Sequence, residues 1–477
     1  MSGQVLERVG QPLAGVREDA GGFDLRAPDG TRYRVDLAAG VLDADNTLLA
    51  AALDGRRVVA YVSPVVDRLY GARIRGYLDR HVRPGQWSLH VIPTGEHRKT
   101  LASVEHVCAV AKADGLDRHG VMLAVGGGIV ADVVGFAASI YARGIRYIKV
   151  NTTLVGQVDV GVGVKTGVNA LHTKNMFGAY HPAHASLNDP AFLATLPPRE
   201  IRCGLAEIVK MAVILDEDLF RALERHPDVF RRSAGQDGAD RPHGELEEYV
   251  LRTSMRLMME ELCPNLREHD LARLVDFGHT FSPVVETAGE HRLRHGEAVA
   301  VDMALSAHVA KLLGLADEET CERIVRLLRR IGLPVFDRDT CTPELMTQAL
   351  RASWQRRGRK LHLVVPTGIG KAAFVEELED VPGDVLVAAL GALAEDAGGP
   401  GGPGGPDGMD GADGPEDAGG RDGTGGPQDA GRPTHAGRPE ESGRPTYAGR
   451  PQDSDRPDYA DTADDAAHAR GEERHGA

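Results

Sequence analysis

Short apolar runs alternate with longer segments of helical period along the first two-fifths of the chain. Phe23 to Leu37, FDLRAPDGTRYRVDL, alternates apolar and polar positions on either side of Pro28-Asp29-Gly30, which predicts a hairpin. Val58–Val62 predicts a buried strand and Val65–Arg80 a helix. Ser88–Ile92 predicts a second strand, ending at Thr94-Gly95-Glu96, and Leu101–Ala113 a second helix. Val121–Val125 is a third apolar run and leads straight into Gly126-Gly127-Gly128. Strands alternating with helices at this spacing predict a parallel α/β sheet. From Pro197 onward the pattern turns helical, at Gly204–Ile214, Leu246–Leu262, His295–Leu313 and Asp317–Arg330. The expected plan is an α/β domain over residues 1–190 and an α-helical domain over 191–397.

Composition separates a third region, residues 398–477. Its 80 residues hold 20 Gly and 10 Pro, with Arg-Pro pairs recurring from Arg432 to Pro457. So few apolar groups cannot offset the entropy of ordering, and a disordered tail is expected. The tail carries 17 acidic and 8 basic residues, a net of −9, which leaves −6 of the chain's −15 on residues 1–397. A nucleic-acid partner needs a clustered basic surface, and none is evident. No run of about 18 apolar residues offers a membrane span, and Met1–Asp19 lacks an apolar signal core. Five cysteines, widely spaced and without a CxxC, suit a reducing cytoplasm.

Three groups of residues carry candidate chemistry. Gly126-Gly127-Gly128 opens the helix IVADVVGFAAS, with Asp132 one turn in. Glycines there let a backbone approach a pyrophosphate at a helix N-terminus. Tight packing alone would also explain them, and the pattern is not GxGxxG. The segment Tyr147–Tyr180 interleaves Thr152, Thr153, Asp159, Lys165, Lys174 and Asn175 with glycines. That is either a phosphate cradle or a solvated loop. Glu207, His279 and His295 form the third group: one carboxylate and two imidazoles leave a metal position open for substrate. Their separations match no short metal motif. However, GLAEIVK puts Glu207 and Lys210 on one helix face, and His295 opens a helix in RHGEAVAVDMA.

Taken in order, GGGIVADVVGFAAS, then TTL…D…KTGVN…KN, then GLAEIVK, GHTF and HGEAVA resemble the sugar phosphate cyclases of the dehydroquinate synthase superfamily. The resemblance implies an NAD-binding α/β domain and a metal-binding helical domain with the site in the cleft between them. It implies that Glu96, Lys99, Gly127, Gly128, Asp132, Thr152, Thr153, Lys174 and Thr195 line the NAD site. Glu207, His279 and His295 would hold Zn2+ or Co2+. Asp159, Lys165, Asn175 and Lys210 would contact a small-molecule sugar phosphate. Asp276, Pro283 and Arg356 would complete the pocket, and Lys165, Lys210, Asp159 and Asp276 would serve catalysis. Arg143 of YARGI would reach a neighbouring subunit's phosphate site, so a homodimer is implied. The implied reaction oxidises a hydroxyl transiently, eliminates phosphate, restores the hydride and closes a carbocycle. Its net result is a lyase step with NAD recycled.

Departures from the family's pattern bear on the substrate. Dehydroquinate synthases carry GHTFGH, and here Pro283 replaces the second histidine. Their asparagine three residues before the ligand is Asp276, and their carboxylate-holding arginine and lysine fall on Ala272 and Met258. An anionic Asp276 without Arg or Lys is expected to repel a carboxylate and to accept hydroxyl hydrogen bonds. With Pro283 in place of a base, the substrate's own phosphate is expected to take the proton. FGHTFSP, with PNLREHDL and RHGEAVAVDMALS, looks most like the sedoheptulose 7-phosphate cyclases, above all those of 2-epi-5-epi-valiolone type. Gln355 stands where that type is expected to carry a histidine, which leaves the sibling 2-epi-valiolone and desmethyl-4-deoxygadusol synthases open. A glycerol dehydrogenase-like enzyme would not need Lys165, Asn175 and Lys210, and an inert scaffold would not need an intact Glu207-His279-His295 set.

Overall fold

A computed structural model of the chain describes residues 15–171, 173–230 and 244–398. Apart from Gly398, the tail expected to be disordered lies outside the described residues. The chain opens with β1 (Val16–Asp19), β2 (Gly22–Arg26) and β3 (Arg32–Leu37), followed by α1 (Leu48–Leu53). Then come β4 (Val58–Val62), α2 (Pro64–His81), β5 (Trp87–Val91), α3 (Leu101–Ala113), β6 (Val121–Gly126), α4 (Gly128–Ile140) and β7 (Arg146–Asn151). A π-helix at Gly156–Val160 precedes β8 (Lys165–Ala170), β9 (Thr173–Tyr180) and β10 (Ala185–Asn188).

The second half holds α5 (Pro198–Leu215), α6 (Glu217–Arg225), α7 (Glu245–Leu262), α8 (Ser282–Ala288), α9 (His295–Leu312), α10 (Glu318–Ile331) and α11 (Pro343–Arg356). It ends with the hairpin β11 (Leu363–Gly368) and β12 (Lys371–Val375), and α12 (Gly383–Gly398). Strand β4 and helix α3 keep the limits that periodicity gives. Helix α2 begins at Pro64 because Ser63 caps it, accepting from the Val66 N–H at 3.1 Å.

The sheet order is β1-β2-β3-β10-β7-β6-β4-β5. From β3 to β5 every pairing is parallel, but β1, β2 and β3 pair antiparallel, so the sheet is mixed rather than wholly parallel. The tight turn at Pro28–Gly30 allows nothing else. Two apolar cores cover the sheet's faces. Leu49, Ile74 and Tyr77 pack with Val58 and Leu123 on one face, and Val104, Val107 and Val134 with Tyr61 and Met122 on the other.

A third core forms around α5, α7 and α9. Helix α9 is buried on all sides from Gly296 to Ala310, the mark of a central helix. The same core takes in Phe23, Leu25, Tyr33 and Val35 from β2 and β3. Arg252 of α7 ties the hairpin down, donating to the Asp19 carbonyl at 3.2 Å and pairing with Glu18 at 3.1 Å. Strands β6 and β7 end at Gly126 and Asn151, and the segments that follow them lead to the site. This is the carboxyl end of the sheet, where open α/β folds place their ligands. Among the described residues no helix is long and apolar enough to cross a membrane.

Candidate active site

Helix α5 carries Glu207 and Lys210 one turn apart, and both side chains are fully buried. Their charges lie 2.6 Å apart, the pairing that such burial requires. His279 stands in the turn before α8. There Gly278 has φ +75°, and a Cβ on it would meet Val299 at 2.9 Å. Asp302 of α9 fixes this turn, accepting from the N–H groups of Phe281 at 2.5 Å and Ser282 at 2.8 Å. Burial pushes the Asp302 carboxyl up to about 6 against those hydrogen bonds. His295 is the first residue of α9. Its Nδ1 bonds Glu286 Oε1 at 3.0 Å, and His279 Nδ1 bonds the Phe277 carbonyl at 3.0 Å.

Both Nε2 atoms therefore turn toward Glu207, at 3.2 Å from His295 and 4.0 Å from His279. One ligand atom from each residue falls within 4.8 Å of the others. Neither buried oxygen of Glu207 has a hydrogen-bond partner of acceptable geometry, despite its charged neighbours. A desolvated carboxylate facing two imidazole nitrogens fits a divalent cation, since the cation would satisfy all three at once. Burial opposes charge on Glu207, but Lys210 and the two histidines hold it well below the usual carboxylate range. Burial and the Lys210 charge push His279 down to about 3, so its imidazole is neutral as a ligand should be. Burial opposes charge on His295 too, with Lys174, but Glu286 and Glu207 raise it to about 9.

Lys174 of β9 reaches this triad rather than standing apart from it. Its ammonium pairs with Glu286 of α8 and lies 3.5 Å from His295 Nδ1. Lys99, Asp132 and Asn175, expected in separate cofactor and substrate groups, form one cluster. Lys99 Nζ is 2.5 Å from Asp132 and donates to Asn175 Oδ1 at 2.7 Å. Glu96 joins them through Asn169, whose amide donates to it at 2.8 Å. Thr195 ends a short 3-10 turn beside Tyr70, their hydroxyls 2.7 Å apart. Arg143 is exposed between α4 and β7, at φ +68° after Ala142 at φ +49°.

At the glycine turn, a Cβ on Gly127 would come within 2.9 Å of Thr153, and one on Gly128 within 3.2 Å of Val160. Packing by these neighbours thus accounts for the glycines. Helix α4 has neither a side-chain cap nor an acidic residue in its first turn, and Lys99 neutralises Asp132. Its first N–H groups therefore fit a pyrophosphate. Thr152, just after β7, abuts this turn, its N–H donating to the Gly126 carbonyl at 3.0 Å.

Asp159 lies in the π-helix, where burial and the Glu207 charge raise its carboxyl against Lys210, His295 and Lys165. Lys165, half exposed, pairs with Glu268, which also takes Arg273 and accepts from the Tyr180 hydroxyl at 3.2 Å. Asp276 is held by Arg273 and by Arg357, the latter at 2.9 Å. This corrects the expectation that Asp276 stands without Arg or Lys. Ala272 is followed directly by Arg273, and Arg357 arrives from the end of α11. Arg357 makes the direct contact with Asp276, and the exposed Arg356 beside it is near enough for the Asp276 charge to act on it. Glu286, Glu268, Arg273 and Arg357 escape a motif-based reading, although the dense alternating charge of LREHDLARLVD marks Glu268 and Arg273 as parts of a network.

Residues 89–203 match the 3-dehydroquinate synthase N-terminal family and residues 204–353 the 3-dehydroquinate synthase C-terminal family. The chain belongs to the 3-dehydroquinate synthase family. Within that family, it is 78% identical to the 2-epi-5-epi-valiolone synthase of Streptomyces glaucescens over 396 residues, 83% of this chain and 99% of the relative. It is 41% identical to the 2-epi-5-epi-valiolone synthase of Streptomyces hygroscopicus subsp. jinggangensis over 392 residues, 78% of this chain and 92% of that one. The solved structure of ValA, the 2-epi-5-epi-valiolone synthase from that organism with NAD+ and Zn2+ bound, superposes with a TM-score of 0.70 at 42% identity. The superposition covers 76% of this chain and 97% of ValA. In this member of the 3-dehydroquinate synthase family, Met258 is buried in the helical core and Pro283 sits in the first turn of α8. Neither position offers a cation or a base.

Proposed function

We propose that the chain cyclises sedoheptulose 7-phosphate to 2-epi-5-epi-valiolone with release of phosphate, using NAD and a Zn2+ or Co2+ ion. The observation that carries this reading is the 78% identity to a 2-epi-5-epi-valiolone synthase across 99% of its length. When bound, the dinucleotide supplies a reversible hydride acceptor and the metal a Lewis acid for the reacting oxygen. Glu207, His279 and His295 hold the metal, with His295 oriented through Glu286. The N-terminus of α4 at Gly127 and Gly128 takes the pyrophosphate, and the Lys99–Asp132–Asn175 cluster flanks it.

Lys165 binds the substrate phosphate in exchange for Glu268, and Lys210 and Asp159 face the reacting carbons. Asp276, steadied by two arginines, accepts from substrate hydroxyls. Pro283 provides no base, so the departing phosphate of the substrate takes the proton at the eliminated C–H. Arg143 completes the phosphate site of a second subunit, making the enzyme a homodimer. The net reaction is that of a carbon–oxygen lyase acting on a phosphate ester, working in the cytoplasm.

The deciding experiment incubates the protein with sedoheptulose 7-phosphate, catalytic NAD and Zn2+ or Co2+, following phosphate release and the product's NMR spectrum. A cyclic C7 ketone without net NADH supports the reading, and its coupling constants name the epimer, the point on which Gln355 bears. Dehydroquinate from a carboxylated heptulosonate phosphate, with no turnover of the neutral sugar, overturns it.

A further inference from the structure

Three lysines are fully buried among the described residues: Lys99, Lys149 and Lys210. Lys99 pairs with Asp132 and Lys210 with Glu207, each at an acidic partner of the site. Lys149, in the middle of β7, has no carboxylate within salt-bridge reach among the described residues; Asp132 and Asp159 act on it only from farther away. Burying an ammonium without a counter-ion is costly, and burial does push it down to about 8. Such a group persists where its hydrogen bonds replace something the backbone cannot supply.

Those hydrogen bonds go to the turn that leaves the π-helix. Lys149 Nζ donates to the Val160 carbonyl at 2.7 Å and to the Gly163 carbonyl at 2.8 Å. Between these two, Ser186 of β10 donates to the Gly161 carbonyl at 2.6 Å, and Tyr33 of β3 donates its hydroxyl to the Val162 carbonyl at 2.8 Å. Four consecutive carbonyls are thus each held by a side chain rising from the sheet, and Lys149 alone grips both ends. Buried carbonyls in a glycine-bearing turn need such donors. Single π-helical turns, such as the one that runs into this clasp, are frequent at functional sites. The turn presents Asp159 toward Glu207, Lys210 and His295, and Val160 toward Gly128 of the glycine turn.

We propose that Lys149 is a positioning residue of the reaction: by clasping the turn Val160–Gly163 from beneath, it fixes Asp159 and the glycine turn of α4 relative to each other. The inference rests on the activity proposed above for its kinetic readout, but not for its binding readout. In the full-length protein, Lys149→Met keeps the side-chain volume and removes both donors. Misplacing a reacting group by about 1 Å costs on the order of 100-fold in rate. The expected result is a kcat for sedoheptulose 7-phosphate on the order of 10- to 100-fold lower at saturating substrate. NAD should bind several-fold more weakly, and Zn2+ content should be unchanged because the metal triad is not touched.

Lys149→Ala should recover rate when methylamine or ethylamine is added, and not with equal tetramethylammonium, which cannot donate. Tyr33→Phe, losing one donor of the four, should show a smaller loss of the same kind and covers the case in which Lys149→Met does not fold. A folded Lys149→Met protein with wild-type kcat and NAD affinity, changed only in melting temperature, overturns the inference. If the wild type itself does not turn over the sugar, the activity reading fails. The NAD affinities of the variants then decide the role of Lys149 on their own.

Discussion

Glu286→Gln tests the arrangement behind the metal triad. In the native chain Glu286 is buried, accepts from His295 Nδ1 at 3.0 Å and neutralises Lys174, whose ammonium lies 3.5 Å from the same nitrogen. Burial opposes the Glu286 charge, yet His295 and Lys174 hold its carboxyl below the usual range, so it is an anion in the working protein. Glutamine keeps the shape and one acceptor oxygen but removes the charge. The imidazole then loses a charge-assisted bond and faces a bare ammonium, which makes its Nε2 a poorer donor to a cation.

Removing an outer partner of a metal-binding histidine costs about 10- to 100-fold in affinity, or roughly 1.4 to 2.7 kcal/mol. Titration of the metal-free protein with Co2+ against a chelator, read by the visible absorption of the bound ion, measures this directly without turnover. Lys174→Met in the Glu286→Gln background should recover part of the loss, because it removes the uncompensated ammonium. Co2+ affinity of Glu286→Gln within twofold of wild type would refute the reasoning.

Glu207→Ala and His279→Ala should each lose bound metal by elemental analysis and lose turnover; a metal-free variant at full rate would remove the site. Asp276→Asn should strip Arg357 of its carboxylate and leave Arg273 only Glu268, so that a carboxylated heptulosonate phosphate inhibits at least ~10-fold more tightly; unchanged inhibition would show that Arg357 is turned away from the substrate. Burial pushes the Lys149 ammonium down to about 8 from the ordinary lysine value of 10.5. Between these two pH values the unfolded chain holds a proton that the folded one has released, so stability rises with pH. The wild type should gain on the order of 3 kcal/mol over Lys149→Met from pH 8 to 10.5 by denaturant unfolding, and a flat difference would contradict the burial of a cation there. Deleting residues 399–477 should leave turnover intact, since 83% of this chain already spans 99% of the Streptomyces glaucescens relative.

Periodicity alone locates β4, α3, α7 and α9, because each buries one face or all faces in a core that hydrophobic spacing reports. The hairpin at Pro28–Gly30 is equally plain, but its seat is not. Nothing in FDLRAPDGTRYRVDL tells that β3 pairs with β10, some 150 residues away by sequence. The site divides the same way. Glu207, His279 and His295 are legible through the order of their motifs. Glu286 with Lys174 and Arg357 with Asp276 are not, as these pairs join segments 112 and 81 residues apart. Charge on a long side chain gives no direction, and the direction comes from where the loops end. The expectation that Asp276 stands without a cation misses for that reason: Ala272 and Met258 carry no charge, but Arg273 and the distant Arg357 do.

The seating of the N-terminal hairpin carries a consequence for how the molecule comes apart. Phe23, Leu25, Tyr33 and Val35 hang from the sheet by their backbone but lie in the core of the helices by their side chains. A chain severed near residue 190 would leave the first fragment with that apolar face in water and the second with the matching hollow. Neither fragment should fold alone, and the intact protein should melt in a single calorimetric transition with matching van't Hoff and measured enthalpies. The two halves are therefore not modules that recombination could exchange between relatives, because a new helical partner would have to arrive with a new hairpin to fill it.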